Sequence, residues 1–255
     1  MKKFIPIVCL ILGLQSCIIK EEITINNTNK IDYKTKLDGS SAKSYLPPDF
    51  FEQQMSFISK EDFSKLSHGM TIQQLLEFLK KNDNSEDVNE LDIYCKKNEK
   101  IYEQIKNDSV FIDFKELSFI AKTKQDSNQF NVQTKQFNDF VNGLTKLGGN
   151  GLHLNLITNK KTVTNKSIRI DFDKNSFVDF ISPLNELFMK NQEPSNQILL
   201  LNFLRYQVTF NTPKPIKSTN ITGNKFSFDR KSVTGDFSIN EILDDKISNV
   251  EVVYE

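Results

Sequence analysis

Residues 167–173 read SIRIDFD, and the alternation within them decides the fold class. Ile168, Ile170 and Phe172 fall on one side of an extended chain; Arg169, Asp171 and Asp173 fall on the other. Successive side chains of a strand point to opposite faces, so this pattern specifies a strand with one covered and one wetted face. Such one-sided burial belongs to antiparallel sheets, because parallel sheets are covered on both faces and read as continuous apolar runs. The pattern recurs upstream. In SVFIDF (109–114), Val110, Ile112 and Phe114 share a side, and in GLHLNLIT (151–158) Leu152, Leu154 and Leu156 alternate with His153 and Asn155. Glu116 to Thr123 reads as a continuation of the 109–114 strand, QDSNQ (125–129) as a turn, and NKKTVTNK (159–166) as a hairpin-like connection. ILLLNFLRYQVTF (198–210) is apolar enough for a buried strand, and NKFSFDR (224–230) and SNVEVVYE (248–255) read as short closing strands.

Between and before these strands the period changes to that of a helix. Pro47-Pro48 and then Asp49 precede Phe50, Phe51 and Met55; Ser59 with Asp62 has capping-box spacing before Phe63 and Leu66. Thr71 is placed to cap IQQLLEFLKK, whose Ile72, Leu75, Leu76 and Leu79 share a face. Ser85 opens a longer stripe of Val88, Leu91, Cys95, Tyr102 and Ile105. Thr134 is read as the cap of a helix carrying Phe137, Phe140, Val141, Leu144 and Leu147, stopped by Gly148-Gly149. Phe177, Phe180, Ile181, Leu184 and Phe188 mark another helical region, with Pro183 expected to start a fresh helix. The expected fold is therefore α+β: N-terminal helices followed by a mainly antiparallel sheet packed against helices.

The first residues follow another logic. Lys2 and Lys3 precede an apolar run, Phe4 to Leu14, which is too short to cross a hydrocarbon core that needs about 20 helical residues. The run ends at Leu14-Gln15-Ser16-Cys17, which resembles a bacterial lipobox: an aliphatic residue three before a cysteine and a small residue just before it. Gln15 departs from the small or apolar residue commonest in that pattern. The resemblance implies that diacylglycerol is attached to Cys17, that lipoprotein signal peptidase cuts before it, and that its new amino group is acylated. Two or three chains hold firmly where one does not, since each buried CH₂ contributes about 0.8 kcal/mol. Ile18 follows the cysteine instead of an Asp, which by the same resemblance sends the protein outward, to an outer membrane or the cell surface. Lys20-Glu21-Glu22 resembles the Lys-plus-two-acids surface-export signal of some bacterial lineages. The expected organisation is a signal peptide over 1–16, a lipidated N-terminus and polar tether over 17–45, and a single globular domain over 46–255. Within the tether, Ile23 and Ile25 could pair as a short edge strand. From about residue 108 onward the chain is similar to small uncharacterised bacterial lipoproteins of α+β fold, most visibly in YQVTFNTPKPIKSTN (206–220).

Composition narrows the function classes. The chain has 255 residues with 33 basic and 33 acidic side chains, hence no net charge. Loss of residues 1–16 would remove two lysines and no acid. Such a chain lacks the basic field that nucleic-acid binding needs. The 21 Phe, the missing Trp and the many Lys, Asn and Ile match what an AT-rich coding sequence gives, so the Asn content is read as genome composition. With Cys9 in the signal and Cys17 lipidated, Cys95 stands alone, so no intrachain disulfide is expected. It is read as a small apolar residue on its helix stripe. No GxxxxGK[ST], GxGxxG, GxSxG or HExxH occurs, so neither a cofactor nor a metal is expected. His68, before Gly69, is read as a helix-end residue and His153 as a solvent-side strand residue. Asp171-x-Asp173-x-Asn175 starts like a calcium loop, but Ser176 replaces the Gly and Ser182 the bidentate Glu. Asp173 and Asn175 are better read as a strand end and a helix cap. The leading expectation is a non-catalytic binding module, held on the membrane by its lipid and facing an envelope protein or extracellular ligand. The alternatives are an envelope hydrolase without a local motif, and an assembly factor docking on a membrane protein.

Overall fold

The structure is a computed structural model and describes residues 18–26, 30–40, 60–82, 87–113, 118–147, 156–189 and 204–255. Among the described residues, two antiparallel-rich sheets and seven helices make an α+β fold. The first two strands are β1 (Ile18–Ile25) and β2 (Lys30–Asp38). Then come α1 (Lys60–His68), β3 (Met70–Thr71), α2 (Ile72–Asn82), α3 (Asp87–Lys97) and α4 (Glu99–Ile105). The hairpin β4 (Ser109–Asp113) and β5 (Ser118–Asp126) leads into α5 (Phe130–Leu147), β6 (Lys160–Val163), β7 (Ser167–Asp171) and α6 (Lys174–Met189). The chain closes with β8 (Arg205–Asn211), β9 (Ile216–Thr219), β10 (Lys225–Phe226), β11 (Ser232–Ser238), α7 (Ile239–Leu243) and β12 (Asn249–Tyr254). The larger sheet has the order β10-β11-β8-β1-β2-β5-β4-β3, and the smaller β6-β7-β12-β9. Their ladders are antiparallel except β1 with β8, which run parallel in the register Ile18 to Arg205 through Thr24 to Asn211.

Alternation builds the large sheet. Ile19, Glu21, Ile23 and Ile25 point inward from β1, while Lys20, Glu22 and Thr24 line the other face. In β2, Ile31, Tyr33, Thr35 and Leu37 are inward. The inner face is covered by α5, which buries Phe130, Phe137, Phe140, Val141 and Leu144, and by the small sheet, which buries Ile168, Ile170, Val250 and Val252. Aromatic edges join the layers: Tyr33 meets Phe130 edge-on at 5.9 Å, and Phe172 meets Tyr206 at 5.4 Å and Phe237 at 5.9 Å. Such offset pairs are worth about 0.5–1.5 kcal/mol beyond the area they bury. Gly143 lets α5 accept Tyr94 of α3. A Cβ there would stand 2.1 Å from the Tyr94 hydroxyl, which donates to the Asp139 carbonyl at 3.2 Å.

The inner layer is not wholly apolar. Lys161 of β6 and Glu21 of β1 are both fully buried, with Nζ 3.3 Å from one carboxylate oxygen and 3.4 Å from the other. Tyr33 donates to the same carboxylate at 3.1 Å, and the Lys161 ammonium lies 5.1 Å from the Tyr33 ring centroid. Burial first, and the Glu21 charge second, push the Tyr33 and Tyr206 phenols well up, so both stay protonated. Asparagines clamp the chain around this pair. Asn131 accepts from the Lys161 amide at 2.6 Å, Asn138 donates to the Ile157 carbonyl at 2.8 Å, and Asn159 donates to the Tyr206 hydroxyl at 3.2 Å. Asn142 bonds both the N–H and the C=O of Leu156, at 2.6 and 3.2 Å, as a neighbouring strand would. At these positions asparagine has a structural use, not just the genome bias assumed for it.

Several expectations are corrected. The stretch read as a tether with an edge strand forms two central strands. Ile18–Ile25 and Lys30–Asp38 each pair on both sides, because Ile19, Ile23 and Ile25 of the first and Ile31, Tyr33 and Leu37 of the second alternate onto the core face. Among the described residues, two strands thus precede the first helix. Glu116 to Thr123 does not extend β4; Ser118–Asp126 turns back against it with Asp113 opposite Ser118. Thr134 is not a cap: α5 starts at Phe130, and Thr134 is buried, donating to Gln125 at 2.6 Å. α6 runs unbroken through position 183, because Phe177, Phe180 and Ile181 hold its first half on the core. NKKTVTNK is a strand, β6, followed by a turn at Thr164. The expectations at 47–59, Ser85, 148–155 and 198–203 lie outside the described residues. The Thr71 cap forms as expected, with Gln74 N–H to Thr71 Oγ1 at 3.2 Å and Thr71 N–H to Gln74 Oε1 at 2.9 Å. His68 ends α1, and Asp173 accepts from the Asn175 N–H at 3.0 Å at the start of α6.

Removing one partner of a buried ion pair strands the other charge, whereas replacing both by apolar groups of similar volume does not. Lys161→Met alone is expected to cost about 3–5 kcal/mol in urea unfolding. The Glu21→Leu, Lys161→Met double variant is expected to recover most of that loss.

Candidate functional site

The outer face of the large sheet carries the polar half of every alternation, and at one end it hollows into a groove of about 420 Å³. Two cross-strand rows form its floor. Ser109, Lys122, Lys34 and Glu22 stand opposite one another on β4, β5, β2 and β1. One step further along the strands on the same face lie Lys124, Asp32 and Thr24. Asn107 and Asp108, between α4 and β4, close one side. A smaller hollow beside it shares Asp108, Thr123 and Lys124 and adds Gln104, Gln125, Gln133 and Gln136.

Opposite like charges on a sheet repel, and Lys34 faces Lys122 directly. Each lysine is turned to a separate partner. Lys34 pairs with Glu22 at 3.3 Å, and Lys122 lies 4.6 Å from the Phe111 ring centroid. Glu22 and Thr24 are held by the Asn211 amide at 3.1 and 2.9 Å. Asp32 accepts from Asn26 at 2.9 Å through one oxygen, while its other oxygen is buried in the groove without a described hydrogen-bond partner. The floor therefore offers ammonium donors on β5 beside carboxylate acceptors on β2 and at Asp108. That arrangement suits a polar ligand carrying both an anionic or acceptor group and hydroxyl or amine donors.

Burial pushes the Asp108 carboxyl up to about 6, against the opposing effect of a hydrogen bond from Thr123. This brings Asp108 into the range where a carboxyl can exchange protons near neutrality. The residues lining the groove include no histidine or cysteine. Asp108 thus has no nucleophile or second base of those types beside it. No reader of the sequence would have picked Asp108, which sits in the unpatterned KND between a helix and a strand; only its burial distinguishes it.

Of the other sequence candidates, Glu22 stands in the groove floor, whereas Cys95, His68, Lys20 and Glu21 do not line it. Cys17 and His153 lie outside the described residues. Cys95 is half-buried on α3 against the core, and burial pushes its thiol up, the opposite of what a reactive thiolate needs. His68 donates from Nδ1 to the Ser64 carbonyl at 2.7 Å on α1. Lys20, Glu21 and Glu22 of β1 each pair with another strand: Lys20 with Asp38 of β2 at 2.8 Å, Glu21 with Lys161 of β6, and Glu22 with Lys34 of β2. Among the described residues, no helix is long and apolar enough to cross a membrane, and no group of three or more His, Cys, Asp or Glu could hold a metal ion.

Asp108 binds its proton more tightly in the folded chain than a free carboxyl does. Its contribution to stability is thus fully present below about pH 4 and is lost as pH rises toward about 6. Asp108→Asn is expected to raise the melting temperature at pH 7.5 and to flatten its dependence on pH between 4 and 6.5, as read by thermal unfolding across pH.

No family model matches the chain, and no curated protein does. Among solved structures, the NMR structure of the folded domain of Mycobacterium tuberculosis LppM is similar, with a TM-score of 0.34 and 8% sequence identity. The match covers 94% of this chain and 90% of that one.

Proposed function

We propose that the protein is a lipid-anchored envelope protein that acts by binding, with the groove on the outer face of its large sheet as the ligand site. One observation carries the anchor: the lysine pair, the eleven-residue apolar run and the Leu14-Gln15-Ser16-Cys17 lipobox stand in signal order. Cleavage before Cys17 would leave all eight residues of β1 intact. Support for binding comes from the groove, whose donors and acceptors are set on paired strands of the large sheet. An anchored domain gains effective concentration toward neighbours in the same envelope.

A docking role has its own supporting observation. Phe228, in the loop between β10 and β11, is fully exposed, and Phe226 beside it is 38% exposed. The loop is well braced: Ser227 Oγ donates to Asp229 at 2.6 Å, the Ser232 N–H donates to Ser227 Oγ at 2.9 Å, and the Arg230 guanidinium lies 4.9 Å from the Phe226 ring centroid. A rigid loop that holds an aromatic ring in water fits an anchor for a protein pocket.

Cys17→Ala is expected to move the protein from the membrane to the soluble fraction of fractionated cells; unchanged membrane partition would overturn the anchor. For the groove, full-length protein is screened by thermal shift against small polyhydroxylated and zwitterionic compounds. Compounds that stabilise the wild type are expected to lose that effect on the Asp32→Asn, Lys124→Ala variant. Undiminished stabilisation of the variant would place binding elsewhere.

A further inference from the structure

The chain leaves no tether between the anchor residue and the sheet. β1 begins at Ile18, and consecutive Cα atoms are about 3.8 Å apart, so a single peptide bond separates Cys17 from the first residue of a central strand. We infer that the lipid seats the protein on the bilayer by one end of its large sheet and displays the groove at the opposite end, toward the aqueous side. The inference rests on lipidation of Cys17.

Register fixes which residues lie at each end. Ile18 stands beside Asp38 of β2 and Arg205 of β8; Asp38 stands beside Ser118 of β5, and Arg205 beside Ser238 of β11. These residues share the anchored end. The lipid chains enter the hydrocarbon, and the polar zone on each side of it is only about 5–7 Å deep. A strand joined directly to the lipidated residue therefore starts in or against the headgroups. The rim there is built for a polar, charged surface: Lys20 and Lys36 both pair with Asp38, at 2.8 and 3.0 Å, and Arg205 pairs with Asp236 at 2.9 Å.

The groove lies up the same strands. Glu22 and Thr24 are four and six residues beyond Ile18, or roughly 13 and 20 Å at about 3.3 Å per residue. Their row partners Lys34, Asp32, Lys122 and Lys124 are carried to the same height by the ladders. The Phe228 loop is also at that end, because Ser232, which closes it, pairs with Asn211, and Asn211 pairs with Thr24. The ligand of the groove is thus a molecule arriving through the aqueous space, not a headgroup of the membrane that holds the protein.

The test uses full-length lipidated protein in phosphatidylethanolamine–phosphatidylglycerol vesicles, in a Cys95→Ala background. A nitroxide is placed at Ser118 or at Lys124, the two ends of β5, and its distance to the headgroup plane is read from relaxation by a nickel-chelating lipid. Ser118 is expected at the headgroups and Lys124 roughly 20 Å further out, given six residues at about 3.3 Å each. Insertion of twelve Gly/Ser residues between Cys17 and Ile18 is expected to erase that difference. Equal depths for the two labels in the uninserted protein, or Lys124 the nearer, would overturn the orientation while leaving the anchor standing. A Cys17 that carries no diacylglyceryl mass would overturn the anchor itself, and the orientation with it.

Discussion

Everything else in the fold depends on β1 being held between β2 and β8. One neighbour follows it within a few residues; the other comes from more than 180 residues later. The parallel β1–β8 ladder therefore joins the two ends of the chain, and the large sheet is continuous only because that ladder forms. Closing so long a loop costs entropy before any contact rewards it, which places this pairing among the late and slow events of folding. β1 is suited to wait for it. Ile19, Ile23 and Ile25 give it an inner face that has no stable place other than the core.

The same strand brings a carboxylate into that core. Glu21 could not remain charged there alone, and Lys161 reaches it from the other sheet with Tyr33 beside both. A buried pair is weak evidence for stability, since desolvation offsets much of the attraction. Its use here is positional: the two charges match in one alignment of β6 over β1. The asparagine contacts of α5 with residues 156–161 act to the same end, tying an irregular stretch by bonds that a strand would otherwise make. Position in the layered core is set by polar groups and its stability by the Phe, Ile and Leu around them.

The outer face shows the complementary logic. Side chains freed from the core by alternation are charged, and the ladders place lysines opposite lysines as well as acids. Partial pairing leaves donors and acceptors turned toward a shared hollow, with Asp108 at its edge, where burial raises its carboxyl to about 6. The groove and the β10–β11 loop occupy one end of the sheet, and Ile18, where β1 begins, lies at the other.

The fold class was legible in the sequence because alternation and helical period are local: SIRIDFD, the Thr71 cap and the α5 stripe each carry their structure within a dozen residues. Ile18–Asp38 was misread because a polar, Asn-rich flank and a charged KEE looked like a tether; the partners that make it a central strand are Arg205–Asn211 and Ser118–Asp126, far away in sequence. Thr134 and Pro183 were misplaced because local cap and start signals yield to the apolar stripe when a core is available. By itself, then, the sequence determined the fold class and those elements whose period is strong and local, such as β7, α2 and the body of α5. Only the tertiary structure decided strand order, the burial of Glu21 with Lys161 and the gathering of Asp32, Asp108 and Lys124 into one groove, because those depend on contacts between residues that no short-range pattern connects.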